Sequence, residues 1–243
     1  MEWTLSTFIA ANLVIIVSSI LQMATGVSVG VIIVPFLAMI SYTLVPVPVV
    51  FASLALTVMM AYQGRDHIDM RNMPQVSVGM LLGIAAALYL LKNTALEHLG
   101  IVFGLFILFS VMMSMKIPTF TLSPKVNYVG GFVAGLMGAT AAVGGQILAL
   151  LFQNHPLASI KATLALLYSI FSVVMLGVFY LFGEFSWEQL LSGLYLMPGF
   201  IVGFIVAPQF VGYFNPNYAR TVVLAMASIG AVMLIVKSIL IMI

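Results

Sequence analysis

From Leu5 to Ile40 the chain runs for 36 residues without an Asp, Glu, Lys, Arg or His. About 20 helical residues span a bilayer's hydrocarbon core, so this run is too long for one straight crossing. Inside it lies Thr25-Gly-Val-Ser-Val-Gly-Val-Ile-Ile-Val-Pro35. Gly26 and Gly30 sit where a continuous helix would be weakest, because glycine lowers helix stability and lets backbones approach closely. Pro35 removes a backbone donor. Broken backbone survives at membrane depth only where it is buried in protein or lines a cavity. A tightly packed helix kink is the plainer alternative.

A second copy supports the cavity reading. Thr140-Ala-Ala-Val-Gly-Gly-Gln146 lies in the apolar run from Tyr128 to Gln153. Setting Leu21-x-x-Ala24-Thr25 over Leu136-x-x-Ala139-Thr140 gives an offset of 115 residues and pairs Gly30 with Gly145. Two broken helices at matching places in two halves point to a transporter's binding site.

Composition sets the class. With 63% hydrophobic and 6% charged residues and a mean hydropathy of +1.24, the chain reads as an all-α, polytopic integral membrane protein. The first run is too long for a secretory signal and lacks a basic flank, so it is expected to be retained. The absence of cysteine excludes disulfides, thiolate metal sites and cysteine nucleophiles. A net charge of +2 gives no argument for nucleic acid. The 17 methionines are read as gap-fillers between helices rather than as metal ligands.

Trp3 is placed for the membrane interface. After the first broken segment come a turn around Pro46 and Pro48 and spans near residues 49–62, 75–91 and 99–115. The link from Lys116 to Lys125 divides the halves. Its counterpart half has a broken segment ending at Asn154-His155-Pro156, then spans near residues 159–182, 189–212 and 218–241. Aligning Phe51-Ala-Ser-Leu-Ala55 with Lys161-Ala-Thr-Leu-Ala165 gives an offset of 110. The expectation is about eight membrane segments in two repeats of four, residues 1–116 and 117–243, forming one transmembrane domain.

Topology turns on the breaks. If each broken segment crosses, the repeats are parallel and Lys and Arg divide five to three between the two sides. If each dips and returns, the repeats are inverted. Arg65, Arg71, Lys116, Lys125, Lys161 and Arg220 then face Lys92 and Lys237, six to two. Cytoplasmic loops collect basic residues, which favours inverted repeats with both termini outside. The length of Leu5–Ala24 on its own fits a full crossing better.

Gly26-Val-Ser28-Val-Gly30 matches the G-x-S-x-G pattern of serine hydrolases. A serine nucleophile wants a base in reach, and His67, His98 and His155 all fall in loops or helix ends. The segment also lacks the preceding strand, so no enzyme activity is expected. No carboxylate falls in a predicted span, which argues against an acidic proton relay and a di-metal site; no cofactor or metal is implied. What remains near the breaks is neutral and donor-rich: Gln22, Thr25, Ser28, Thr140 and Gln146, with amides freed at Gly26, Gly30, Gly144 and Gly145. Such donors suit a small anion; each hydroxyl or amide taken singly reads first as glue between helices, and only as a symmetric set at two breaks do the two readings stand level. Lys161, at the start of a span, either attracts an anion at the inner mouth or snorkels to the surface.

The order of a Gly-rich break, Pro35, an Ala-Ser53 helix, a short charged loop ending near Ile68-Asp69 and a second copy at Gly130–Gln146 resembles the TauE/SafE family of sulfite-exporter-type permeases. The resemblance covers essentially the whole chain. It implies about eight membrane segments in two repeats and export of sulfite or organosulfonates. The family's break usually carries three successive glycines, where this chain has Gly26-Val-Ser-Val-Gly30 and Gly144-Gly145-Gln146. The reading is therefore a multi-pass permease of a bacterial or archaeal cell membrane that exports a small sulfur-containing oxyanion, driven by the membrane potential. Its partners are the lipid bilayer and that anion, with a homodimer left open. The alternatives are another small anion, such as a carboxylate, or a non-transporting membrane assembly factor.

Overall fold

The computed structural model describes residues 3–25, 30–115, 123–213 and 216–242. The described residues are helical, with no strand among them. In chain order the α-helices are α1 (Leu5–Thr25), α2 (Gly30–Ile40), α3 (Val47–Gln63), α4 (Met73–Lys92), α5 (Leu99–Met115), α6 (Pro124–Ala141), α7 (Gly145–Leu151), α8 (Leu157–Leu181), α9 (Trp187–Val211) and α10 (Pro216–Met242). Seven of the described helices are long and apolar enough to cross a membrane. The 18-residue α6 carries Lys125, Asn127 and four glycines and is not one of them. Taking α1–α2 and α6–α7 as one broken segment each, the protein is a multi-pass helical membrane protein, with eight segments among the described residues. Pro35 lies inside α2 without ending it. The α6 helix starts at Pro124, four residues ahead of the apolar run, because Ser123 caps it and proline suits a first turn.

Contacts between named residues fix the helix directions. The Arg65–Arg71 loop joins α3 to α4, and the Asp69 amide donates to Thr163 Oγ1 (2.9 Å), so α8 starts at that end. Asn127 Nδ2 donates to Asn72 Oδ1 (3.0 Å), so α6 starts there too. This is the basic end. At the opposite end Lys92 Nζ donates to the Phe182 carbonyl (3.2 Å), bringing the last residues of α4 and α8 together. The Trp3 indole reaches Ser192 (3.4 Å), so α1 and α9 both start from that end. Lys237 Nζ donates to the Met39 carbonyl (2.7 Å), so α2 and α10 finish there together.

The α1–α2 pair therefore enters and leaves at the opposite end. The α6–α7 pair enters and leaves at the basic end, where Leu151 returns against Gly130 and His155 Nε2 lies 3.4 Å from Asp69 Oδ2. The helices α3, α4 and α5 run opposite to α8, α9 and α10. Both broken segments dip and return, as the inverted reading expects. The 21 residues of α1 cover about 30 Å, which explains why its length alone suggested a full crossing; the chain returns through the shorter α2.

Small residues hold the pairs together. Gly79 and Gly83 of α4 lie on the α6 backbone at Tyr128 and Phe132, while Gly131 and Gly135 of α6 lie on Val76 and Met80. Two Gly-x-x-x-Gly faces thus interlock, so a Cβ at any of these positions would meet backbone. On the other side Gly199 and Gly203 of α9 receive Ile15 and Ser19 of α1. Buried Asn12 locks that pair: its Nδ2 donates to the Tyr195 carbonyl (3.0 Å) and its Oδ1 accepts from the Gly199 amide (2.7 Å). Asn12 and Asn127 stand 115 residues apart, the offset of the two breaks, and each ties its broken segment to the parallel helix beside it.

Candidate functional site

The helix that follows each break begins at Gly30 or Gly145, the two glycines that the repeat pairs. The α6–α7 turn is made by Ala142, whose φ of 54° is left-handed and whose N–H bonds the Gly138 carbonyl (2.9 Å). A non-glycine residue in that conformation costs roughly 1 kcal/mol. The Ala142 carbonyl faces Gly30, and a Cβ at Gly30 would overlap it. Gly144 likewise lies on the Ala134 carbonyl. The two breaks meet through glycine because no side chain fits between them.

Beside that contact lies a cavity of about 90 Å³. A water molecule needs roughly 10–15 Å³ on this scale, so the space admits a small polyatomic ion together with several waters. Gln22 of α1, Gly30 of α2 and Gly144 and Gly145 line it. So do Ser53 and Thr57 of α3 and Tyr168 and Ser172 of α8. Met80, Ile84, Leu56 and Phe171 make the wall largely apolar. The Tyr168 hydroxyl is buried and has no partner among the described residues. Ser53 and Thr57 hydroxyls donate to the Val50 (3.0 Å) and Leu54 (3.2 Å) carbonyls of their own helix.

Four of the expected site residues, Gln22, Gly30, Gly144 and Gly145, are thus brought to one wall. Thr140 and Gln146 are buried nearby without lining it. Ser114 Oγ donates to Gln146 Oε1 (3.1 Å), whereas Thr140 Oγ1 and Gln146 Nε2 have no partner among the described residues. Lys161 is half-buried and donates to the Met23 carbonyl at the end of α1 (2.6 Å), where a cation suits the helix dipole. Gly26 and Ser28, and with them the hydrolase pattern, lie outside the described residues, as does the side chain of Thr25.

Ser53, Thr57, Tyr168 and Ser172 were not foreseen. The signal was available: Ser53 and Thr57 are spaced by four, as are Tyr168 and Ser172, and the pairs stand 115 residues apart. The 110-residue alignment set Ser53 against Thr163 instead, and Thr163 faces the Asp69 loop. The cavity-facing residues of α3 and α8 follow the offset of the breaks.

A helical bundle with two glycine breaks meeting beside a cavity between the helices has the architecture of a membrane permease. The family model for the sulfite exporter TauE/SafE matches residues 11–234, and the chain belongs to that family. No curated protein and no solved structure matches the chain. The family is one of transporters; among the described residues no cluster of His, Asp and Glu is suited to a metal ion.

Proposed function

We propose that the protein exports a small sulfur-containing oxyanion, sulfite or a short organosulfonate, from the cytoplasm through this cavity. The observation that carries the reading is the meeting of Gly30 with Ala142 beside a neutral cavity lined from both halves. Residues 1–116 and 117–243 act as inverted repeats around it. Gln22, Gly30, Gly144 and Gly145 form the wall, with the Thr25–Ser28 link, Thr140 and Gln146 completing the neutral donor set around the breaks. Arg65, Arg71, Lys125 and Lys161 mark the basic end as cytoplasmic in a cell membrane.

The driving force is the membrane potential. The described carboxylates Asp66, Asp69, Glu97, Glu184 and Glu188 all stand in loops or first turns, which leaves the bundle's interior without an acidic proton carrier. An anion leaving an inside-negative cell gains about 2.3 kcal/mol per charge for each 100 mV. A tenfold gradient corresponds to only about 1.4 kcal/mol. In proteoliposomes, a potassium–valinomycin potential at symmetric pH is expected to drive net methanesulfonate flux, and a pH step at zero voltage to drive little. Flux with the pH step and none with voltage would overturn uniport. No flux of sulfite, thiosulfate, sulfonates or carboxylates would favour an assembly factor.

A further inference from the structure

The cavity wall carries hydroxyls and one amide, with no charged side chain among the described residues. The cation closest in the chain to the lining residues of α8 is Lys161, which does not line the cavity and donates to the Met23 carbonyl. The cost of taking an ion out of water grows with the square of its charge, so a dianion costs roughly four times as much as a monoanion of the same size. Neutral donors return an attraction that grows only in proportion to charge. Without a fixed cation, the second charge therefore adds more desolvation cost than attraction.

We infer that this cavity selects singly charged oxyanions over dianions of the same shape, and that the Tyr168 hydroxyl is the donor that orients them. Ser53 and Thr57 would have to give up bonds to the Val50 and Leu54 carbonyls to donate, whereas the Tyr168 hydroxyl gives up none, and Ser172, one turn along the same helix, is a second lining hydroxyl with no such bond. For sulfite, whose second proton titrates near neutrality, the bound species is then hydrogensulfite. An organosulfonate keeps one charge throughout and is bound irrespective of pH. From α1, α2, α3, α4, α6, α7 and α8, Tyr168 is the one titratable group that the described residues bring to the wall. The pH dependence therefore belongs to the ligand. This inference rests on the anion-site reading above.

Methanesulfonate and sulfate separate the two readings, since they differ mainly in a methyl group set against a charged oxygen. Calorimetric titration of the purified full-length protein in detergent is expected to show methanesulfonate binding at least tenfold tighter than sulfate, equally at pH 6 and pH 8. Apparent sulfite affinity is expected to weaken about tenfold per pH unit above neutrality. Tyr168→Phe is expected to weaken methanesulfonate binding about tenfold while leaving the ligand-free melting temperature unchanged. Tyr42→Phe, which removes another buried unpartnered hydroxyl remote from the cavity, is expected to leave binding unchanged. Sulfate binding as tight as methanesulfonate would overturn the charge selection and leave the anion site standing. Unaltered binding in Tyr168→Phe would remove the tyrosine's role. If none of the three anions binds, both the selection and the site reading fall.

Discussion

Lys161 stands where the sequence places a candidate anion-attracting residue, and in the structure its ammonium also caps the end of a broken helix. It lies one turn into α8, and the broken α1 ends beside it with carbonyls that have no helical partner. Its Nζ takes one of them, at Met23. Lys237 does the same for α2 at Met39 while lying 5.3 Å from the centre of the Tyr42 ring. Both short ends are closed by a lysine from another helix, as expected where water is scarce. Lys161→Met keeps the apolar stem and removes only the charge and its bond. It is expected to lower stability by about 1–2 kcal/mol, read as a drop in the melting temperature of the purified protein. The KM for methanesulfonate in folded protein is expected to stay unchanged. A raised KM with unaltered melting would instead assign Lys161 to the anion's path.

At the scale of elements, glycine packing sets which helices touch. A side chain at Gly79 would overlap the Tyr128 carbonyl of α6, while Gly177 of α8 has nothing within 4 Å. Adding a side chain should therefore have opposite outcomes at the two places. Gly79→Leu is expected to separate α4 from α6 and cost about 3 kcal/mol or more, seen as aggregation or loss of the monodisperse peak in size-exclusion chromatography. Gly177→Ala is expected to be neutral or to stabilise by up to about 1 kcal/mol through helix propensity. Equal tolerance at both sites would contradict the interlocked α4–α6 contact.

For the whole molecule, the testable quantity is sidedness. Arg65, Arg71, Lys125 and Lys161 gather at the end where α3 finishes and α6 and α8 begin, while Glu97, Glu184 and Glu188 gather at the other. Because the chain has no cysteine, single cysteines report cleanly. His67→Cys is expected to be shielded from an impermeant thiol reagent in intact cells. Glu97→Cys and Glu184→Cys are expected to react. Reaction at His67→Cys with shielding at Glu184→Cys would reverse the orientation in the membrane. Reaction at only one of the two glutamate positions would contradict the helix directions themselves.

Much of the architecture was legible because it follows from local chemistry. Apolar runs bounded by Pro, Gly and charge predict membrane helices wherever water is absent, and the bounds of α3, α4, α5, α8, α9 and α10 fall within about two residues of that reading. The breaks were legible because glycine weakens a helix at a definite position, and Gly30 and Gly145 do open α2 and α7. The lopsided distribution of Lys and Arg was enough to favour segments that return to their own side. The composition of the cavity wall was not legible, since it depends on how helices rotate against one another. Thr140 and Gln146 sit at the break yet turn away from the wall, whereas Tyr168 and Ser172, far along α8, turn toward it. Rotation about a helix axis in lipid is set by which neighbours supply small residues for close approach. That is a property of contacts such as Gly79 on Tyr128 and Gly30 on Ala142, which arise only once both halves are assembled.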